Sequence, residues 1–187
     1  MIADCVFPDT TIEKHNWRDT KPPLSAWAVW SIYEKTKDSS FVAELYPQIV
    51  KYHEWWYKNR DHDGNGLCEY GSTDGTEIAA RWESGMDNAV RFDDIKMLKN
   101  NKNAWSMNQE SVDLNSYLFA EKKYLKNMAI ILGKNVDVKK YKSEAAYLKK
   151  QIQSLMYDPR DGYFYDIKLD DKSFVKVKGP EGWIPLW

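Results

Sequence analysis

Apolar residues recur at helical spacing in two stretches near the start of the chain. Two prolines at 22–23 open the first stretch, where the missing proline N–H costs nothing at a helix start. Its apolar face is formed by Ala26, Val29, Trp30 and Tyr33. The second stretch begins with an N-cap within residues 38–40 and repeats apolar residues every three or four positions to about Asn59. The pattern predicts two consecutive helices, with Pro47 kinking the second or marking its true first turn.

Two more helices are predicted in the second half of the chain. Apolar and aromatic residues repeat at helical spacing over about 110–132, and Gly133 is a suitable residue just past the helix end. A regular apolar stripe over about 136–156 predicts the next helix. Antiparallel helix pairs joined by long loops on one side are typical of an α-toroid, so the pattern predicts an all-α fold.

The remaining segments show no helical period. Residues 61–109 are polar and mostly aperiodic, and loops of that length are uncommon in compact domains unless they are functional. We therefore expect a long functional loop there. The runs 163–167 and 174–177 are rich in aromatic and β-branched residues and predict a small β-hairpin.

Composition narrows the classes of function. The chain has 187 residues, enough for one domain, and a net charge of −1. This charge, with no basic stripe interleaved with aromatics, argues against nucleic-acid binding. No apolar run is long enough to cross a bilayer, so we expect no membrane partner. Nine Trp and twelve Tyr predict a core built on large aromatics, a sugar pocket, or both.

The densest cluster of candidate functional residues is WESGMDNAVRF at 82–92, here called the WESG loop. Its aromatic rings can stack on the apolar face of a sugar, and its carboxylates and guanidinium can bind hydroxyl groups. A carboxyl beside apolar surface can keep its proton near neutral pH and donate it to a glycosidic oxygen. The same residue types also occur in solvated turns, where the Trp is only a packing anchor.

The WESG loop resembles the signature loop of glycoside hydrolase family 63, the family of processing α-glucosidase I and bacterial α-glucosidases; a related loop occurs in inverting trehalases. Three other segments agree in order: NWRDTKPPLSAWAVW at 16–30, NQESVD at 108–113 and GPEGWIPL at 179–186. The resemblance implies an (α/α)6 toroid of twelve helices, of which the sequence predicts four. Residues 1–187 would then form an incomplete catalytic domain, a partial toroid of antiparallel helix pairs with a long functional loop and a small β-hairpin.

By this resemblance Asp87 matches the family's general acid, and Met86 and Trp82 could supply the apolar wall that keeps it protonated. The alternative role for Asp87 is a helix N-cap. Glu83 and Arg91 are expected either to bind sugar hydroxyls or to fix the loop. The resemblance further implies sugar contacts from Trp17, Arg18, Asp19, Lys21, Trp82 and Trp183. The two cations in this set are equally compatible with an ordinary solvated surface.

The resemblance implies an inverting α-glycosidase that removes terminal α-linked glucose from oligosaccharides. Inverting glycosidases need a second carboxyl, about 6.5–9.5 Å from the first, to activate a water. The family's base lies in a downstream Glu-Asn-Tyr-like segment, which does not occur in residues 1–187. We therefore expect this chain alone to be inactive, and the remainder of the toroid to be present in a full-length protein. The alternatives are a trehalase-like or mannosylglycerate-type hydrolase, or a non-catalytic, calcium-stabilised carbohydrate-binding piece.

A second motif, DHDGNGLCE at 61–69, has the spacing of a calcium loop and is here called the Asp-rich loop. Oxygen ligands at positions one, three and five, then glycine at six, follow the EF-hand pattern until position twelve, where Ser72 replaces the bidentate Glu. A remote carboxylate must complete the shell, and Glu110 is the first candidate, with Asp113 second. The predicted ligands are Asp61, Asp63, Asn65, Leu67 through its carbonyl, Glu69 and Glu110.

Family members resembling this chain carry calcium at such a loop, while the alternative is an Asx-rich turn without an ion. A structural Ca²⁺ would tie the long loop to the helix that begins near Glu110. A calcium loop also favours a periplasmic or extracellular location, where calcium is plentiful.

Overall fold

The computed structural model describes residues 1–6, 8 and 15–187. Within these residues the chain forms five α-helices, a four-stranded antiparallel sheet and a two-stranded ribbon. The helices are α1 (Ser25–Thr36), α2 (Ser39–Asn59), α3 (Glu77–Ser84), α4 (Val112–Ile131) and α5 (Asn135–Gln151). The strands are β1 (Glu69–Ser72), β2 (Met97–Asn101), β3 (Ala104–Glu110), β4 (Tyr157–Asp158), β5 (Tyr163–Phe164) and β6 (Ile167–Lys168). No helix in the described ranges is both long and apolar enough to cross a bilayer.

Two helix pairs confirm the positions predicted from the hydrophobic period. A tight turn separates α1 from α2, and the Asp38 carboxylate accepts hydrogen bonds from the amides of Ser40 and Phe41 at the start of α2. Pro47 lies inside α2, so it does not mark the first turn of that helix. Gly133, with a φ of +69°, joins α4 to α5. A π-helical segment, Ile152–Met156, continues α5 to the predicted end.

The prediction of an all-α fold is confirmed only in part, and the expectation of an aperiodic loop at 61–109 is wrong. That segment contains α3 and three strands of the four-stranded sheet, in which β3 pairs with β1, β2 and β6. The buried positions of β3 include Ser106, Gln109 and Glu110. Polar residues are thus buried on both faces of the strand beside the apolar Ala104 and Met107, so β3 has no alternation of apolar and polar residues that would reveal it in the sequence.

The predicted hairpin between 163–167 and 174–177 is confirmed only in part: the two runs meet through a hydrogen bond from the Val175 amide to the Asp166 carbonyl, while the strands of the first run have other partners. Strand β5 pairs instead with β4, across the tight turn at 159–162. Strand β6 joins β3 through the pairs Gln109–Lys168 and Glu110–Ile167. Phe174 makes only a single bridge, to Ile167. The two-stranded ribbon is therefore formed by β4 and β5, on either side of the turn at 159–162, and β6 belongs to the four-stranded sheet.

The core consists of two apolar clusters. One lies among α1, α2, α4 and α5 and includes Val42, Tyr46 and Leu125. The other joins α2 and α4 to the sheet, with Trp56 and Tyr70 fully buried. Burying a large apolar side chain stabilises a fold by about 1.5–3 kcal/mol. The second cluster therefore fixes the sheet, and with it the segment 61–110, against the helices.

We expect Gly71→Ala to unfold the sheet at this point. A Cβ at Gly71 would lie 1.9 Å from the Trp105 carbonyl oxygen and 2.9 Å from Arg60 Nε. Since backbone cannot yield cheaply, the free energy of unfolding in urea should fall by about 3 kcal/mol or more. Gly133→Ala is the control, because it meets no atom within 4 Å and costs only the left-handed backbone penalty of about 1–2 kcal/mol. Equal losses in the two variants would contradict the close approach.

Candidate functional site

A buried carboxylate holds the start of the WESG loop. Glu83, at the end of α3, has no exposed surface. Its Oε1 accepts hydrogen bonds from Arg60 Nε at 2.7 Å and from the Gly71 amide at 2.8 Å. Its Oε2 accepts from Arg60 Nη2 at 2.8 Å and from the Thr20 amide at 3.3 Å. The carboxylate therefore joins α2, β1 and residues 16–21, here called the NWRD segment, to the WESG loop.

These contacts use the whole acceptor capacity of the Glu83 carboxylate. An ionised carboxylate has about four acceptor positions, and each of its four hydrogen bonds comes from the protein. The Arg60 guanidinium is also buried, and it lies 4.8 Å above the centre of the Trp55 ring. Of the two roles left open by the sequence, this arrangement favours fixing the loop over binding a sugar hydroxyl.

A second buried ion cluster holds the other end of the WESG loop. Arg91 donates to both oxygens of Asp113 at 2.9 Å and, through Nη1, to Asp166 at 3.0 and 3.1 Å. Asp166 also accepts from Gln109 Nε2 and from the Val112 amide, each at 2.8 Å. Burial raises the pKa of Asp166 to about 6, while Arg91 opposes that rise. Arg91 therefore fixes the loop to the start of α4 and to the segment before β6.

Asp87 lies between these two anchors and is exposed. The turn that carries it begins at Gly85, with a φ of +69°. The apolar niche predicted for it is not formed by its neighbours, since Trp82 is 39% exposed and the Met86 sulfur lies 3.7 Å from Arg91 Nη2. The N-cap alternative also finds no support, because neither α3 nor the 3-10 turn at 90–92 has Asp87 at its N-cap position. Asp87 is thus a solvent-facing carboxyl on a firmly held loop.

The NWRD segment lies beside the WESG loop. Lys21 Nζ donates to the Trp82 carbonyl oxygen at 2.6 Å. Arg18 Nε pairs with Asp74 at 2.6 Å, and the Thr73 hydroxyl donates to the Trp17 carbonyl oxygen at 2.8 Å. The Trp17 side chain remains 52% exposed. The structure therefore brings two of the sequence motifs together, and it leaves an aromatic ring and two partly exposed cations near the carboxyl-bearing loop.

Asp19 has an environment that the sequence did not reveal. It is fully buried, its Oδ2 has no hydrogen-bond partner, and Lys21 Nζ lies 3.8 Å away. Burial raises the pKa of Asp19 to about 7, and Asp4 and Glu83 raise it while Lys21 lowers it. No local pattern could indicate this, because Asp4 and Glu83 approach Asp19 from distant parts of the chain. Asp19, one of the predicted sugar contacts, is therefore about half protonated at neutral pH and has no surface exposed to a ligand in this chain.

Trp183 is held by a different set of contacts. It lies in the 3-10 helix Pro180–Leu186 and packs edge-on against Tyr163, with 5.6 Å between ring centres. Gly182 is required next to it, since a Cβ there would lie 2.3 Å from the Tyr163 ring. The Trp183 side chain is 62% exposed, so its ring is available as a stacking surface.

Strand pairing brings the remote carboxylate to the Asp-rich loop. Glu69 ends the loop at the start of β1, and its partner in the antiparallel register is Glu110 of β3. Asn65 Nδ2 lies 2.7 Å from Glu110 Oε1. Asp113, the second candidate, is instead paired with Arg91. The β1–β3 pairing thus explains how a residue so distant in sequence reaches the loop.

The geometry of the loop fits a calcium ion. Oxygen atoms of Asp61, Asp63 and Glu69 all lie within 4.8 Å of one another. Calcium–oxygen distances of about 2.3–2.6 Å put opposite ligands about 4.6–5.2 Å apart. Three buried oxygens have no hydrogen-bond partner: Asp61 Oδ1, Glu69 Oε1 and Glu110 Oε2. Burial raises the pKa of all three carboxyl groups, and a bound cation would offset that cost. Leu67 is buried beside them.

Comparison with known families identifies the relatives of this chain. The family model described as mannosylglycerate hydrolase MGH1-like glycoside hydrolase domain matches residues 1–187. The chain belongs to this family. The match, with solved structures of family 63 mannosylglycerate hydrolase as neighbours, confirms the resemblance to glycoside hydrolase family 63.

The curated relatives of this MGH1-like domain are longer proteins. Mannosylglycerate hydrolase of Thermus thermophilus is 37% identical over 78 residues, 40% of this chain and 17% of its own. Mannosylglycerate hydrolase MGH1 of Selaginella moellendorffii is 32% identical over 79 residues, 40% of this chain and 14% of its own. An uncharacterized protein of Borreliella burgdorferi is 27% identical over 165 residues, 88% of this chain and 29% of its own. The MGH1-like domain spans less than a third of each of these relatives.

Solved structures support the fold of the MGH1-like domain. A crystal structure of GH63 mannosylglycerate hydrolase from Thermus thermophilus in complex with Tris gives a TM-score of 0.72 at 18% identity, covering 100% of this chain and 55% of that one. The same enzyme in complex with glucose gives 0.72 at 19% identity, covering 96% and 51%. At this identity the likeness concerns the fold, which is consistent with the predicted partial helical toroid. Those of the relatives above whose names state an activity are mannosylglycerate hydrolases. This activity is one of the alternatives to the α-glucosidase.

For the MGH1-like domain we expect Glu83→Gln to lower the free energy of unfolding by about 3–5 kcal/mol, because it leaves the Arg60 guanidinium buried without a counter-charge. Urea denaturation measures the change. Glu54→Gln is the matched control, since Glu54 pairs with Lys140 at 3.2 Å on the surface, where such pairs contribute less than about 1 kcal/mol. If both variants lose the same free energy, the buried pair does not organise the loop.

Proposed function

We propose that this chain works as part of a longer inverting glycoside hydrolase, in which Asp87 is the general acid that protonates the leaving oxygen of an α-linked sugar. The observation that carries the proposal is the pair of buried anchors on either side of Asp87. Glu83 is saturated with protein contacts and Arg91 is held by the buried carboxylates of Asp113 and Asp166, so the carboxyl between them is positioned although it is exposed. An acid must be held in place relative to the glycosidic oxygen to contribute to the rate.

The proposal assigns sugar contacts to Trp17, Trp82 and Lys21. The exposed rings of Trp17 and Trp82 offer faces for stacking on a sugar, and Lys21 Nζ already lies against the Trp82 carbonyl. The water-activating base comes from residues beyond this chain, so residues 1–187 bind a sugar weakly and do not turn it over. Because Asp87 faces solvent here, the apolar covering that a general acid needs comes from the substrate and from those further residues.

We propose a substrate in which an α-linked hexose is joined to a small organic acid, as in mannosylglycerate, in preference to an α-glucosidase substrate. The names of the curated relatives support this choice, as does the Thermus thermophilus enzyme in complex with Tris and D-glycerate. Arg18 and Lys21 add a physical argument, because these half-exposed cations, here paired with Asp74 and Asp4, suit a carboxylate better than a neutral sugar.

We further propose a structural calcium ion bound by Asp61, Asp63, Asn65, the Leu67 carbonyl, Glu69 and Glu110. The unpartnered buried oxygens and the mutual spacing of the carboxylates support it. Such an ion would neutralise buried carboxylates and tie the Asp-rich loop to the end of β3.

In the full-length enzyme, Asp87→Asn is expected to lower kcat on mannosylglycerate by about 10²–10⁴-fold, the usual contribution of a general acid. Binding of the substrate, measured by calorimetry, should change little. A dinitrophenyl glycoside, whose leaving group needs no proton, should be spared most of the loss. Asp94→Asn is the control, since Asp94 is also exposed but lies outside the loop. Near-normal turnover of mannosylglycerate by Asp87→Asn would refute the assignment.

Removing calcium should lower the melting temperature of the purified chain. An ion that binds only the native state stabilises it by about 2.7 kcal/mol when its concentration is 100 times Kd. Thermal unfolding followed by circular dichroism, with excess calcium or with excess chelator, measures this effect. Asp61→Asn, which removes a ligand charge, should melt at the same temperature in both solutions. If the unmodified chain melts at the same temperature in excess calcium and in excess chelator, the proposed calcium site is refuted.

A further inference from the structure

We propose that Lys172 is a built-in competitor for the cation of the Asp-rich loop, and that calcium must displace its ammonium group to bind. This inference rests on the calcium site proposed above. Lys172 Nζ lies 2.7 Å from Glu110 Oε1 and 3.1 Å from Asp63 Oδ2. Both carboxylates belong to the proposed ligand set, so the ammonium group and a metal ion compete for the same two carboxylates.

A second donor occupies the same pair of oxygens. Asn65 Nδ2 donates to Asp63 Oδ2 at 3.0 Å and to Glu110 Oε1 at 2.7 Å. The Asn65 oxygen is turned away and accepts from the Leu67 amide at 2.8 Å. An ammonium and an amide thus supply the positive charge and the hydrogen atoms that these carboxylates need in place of an ion. In the calcium-bound state the Asn65 side chain would rotate to present its oxygen, and Lys172 would withdraw.

The two occupants exclude each other. A calcium ion within about 2.6 Å of these oxygens would stand within a few ångströms of a lysine nitrogen that is 2.7 Å from one of them. Their like charges repel strongly at that separation. Lys172 can leave, because its side chain is 34% exposed. The loop therefore has two closed states, one neutralised by the lysine and one by the metal.

The backbone around Lys172 holds the side chain against the loop. Strand β6 pairs with the Glu110 end of β3, so the turn that follows β6 starts beside the carboxylates. Within that turn Lys172 has a φ of +56°, a conformation that residues other than glycine seldom adopt. The turn is closed by the Lys172 amide donating to the Lys168 carbonyl and the Lys168 amide donating to the Ser173 carbonyl. The ion pairs with Asp63 and Glu110 compensate for this unfavourable backbone.

The test is calcium binding to Lys172→Met, measured by isothermal titration calorimetry on the purified chain with calcium chloride as the probe. In the unmodified chain, only molecules in which Lys172 has left the loop can bind calcium, so the apparent affinity falls in proportion to their fraction. If that fraction is about one in ten, Lys172→Met should bind calcium about tenfold more tightly. Lys176→Met is the matched control, since Lys176 pairs with Asp161 at 2.7 Å, away from the loop. It should bind calcium like the unmodified chain.

Thermal unfolding without calcium should show the opposite effect, a loss of stability in Lys172→Met. In excess chelator, Lys172→Met should melt at a lower temperature than the unmodified chain, because Asp63 and Glu110 lose the ammonium group that neutralises them. In saturating calcium the difference should shrink or reverse. Lys172→Gly guards against a folding defect, since glycine adopts the same φ without strain; it should show the same gain in calcium affinity.

The outcomes separate this inference from the calcium proposal. Equal calcium affinity in the unmodified chain, Lys172→Met and Lys172→Gly would overturn the competition and leave the calcium site standing. Absence of calcium binding by all three would overturn both. Tighter binding by the two Lys172 variants, with no change in Lys176→Met, would support the competition.

Discussion

The buried pair of Arg60 and Glu83 is the interaction on which the rest of the structure depends. Charges removed from water are costly unless their hydrogen bonding is complete, and Glu83 meets this condition with four donors. The donors come from the end of α2, from β1 and from the NWRD segment, so segments far apart in sequence meet at one point. Arg91 provides a similar anchor with Asp113 and Asp166. Between the two anchors a short turn can project a carboxyl into solvent without losing its position.

The helical part of this arrangement follows from the sequence, while the sheet does not. Helices α1, α2, α4 and α5 are long enough for an apolar face to repeat several times, which makes their period visible. Strand β3 buries Ser106, Gln109 and Glu110. A search for alternating apolar positions assigns such a strand to a loop, because polar and apolar residues are buried together on both of its faces. Its stabilisation comes from hydrogen bonds and ion contacts to residues elsewhere in the chain.

The same limit applies to the site. Residue types and spacing indicate the Asp-rich loop and the WESG loop, because their chemistry is local in sequence. Their partners are not local: no motif suggested that Glu83 would pair with Arg60, or Arg91 with Asp113 and Asp166. Charge pairing across such distances leaves no periodic trace. The predicted niche around Asp87 failed for a related reason. Neighbours in a turn point in different directions, so Met86 reaches Arg91 and Trp82 remains partly in water.

Strand β1 is only four residues long, yet it touches both functional loops. Glu69 at its first position faces the Asp-rich loop, and the amide of Gly71, two residues later, donates to Glu83. A change of pairing by one residue would invert every side chain of such a strand. The two loops are therefore coupled through β1. A change in the rigidity of one end of this strand reaches the other end over only two peptide units. A shift in the pairing of β1 would therefore displace the Asp-rich loop and the WESG loop together.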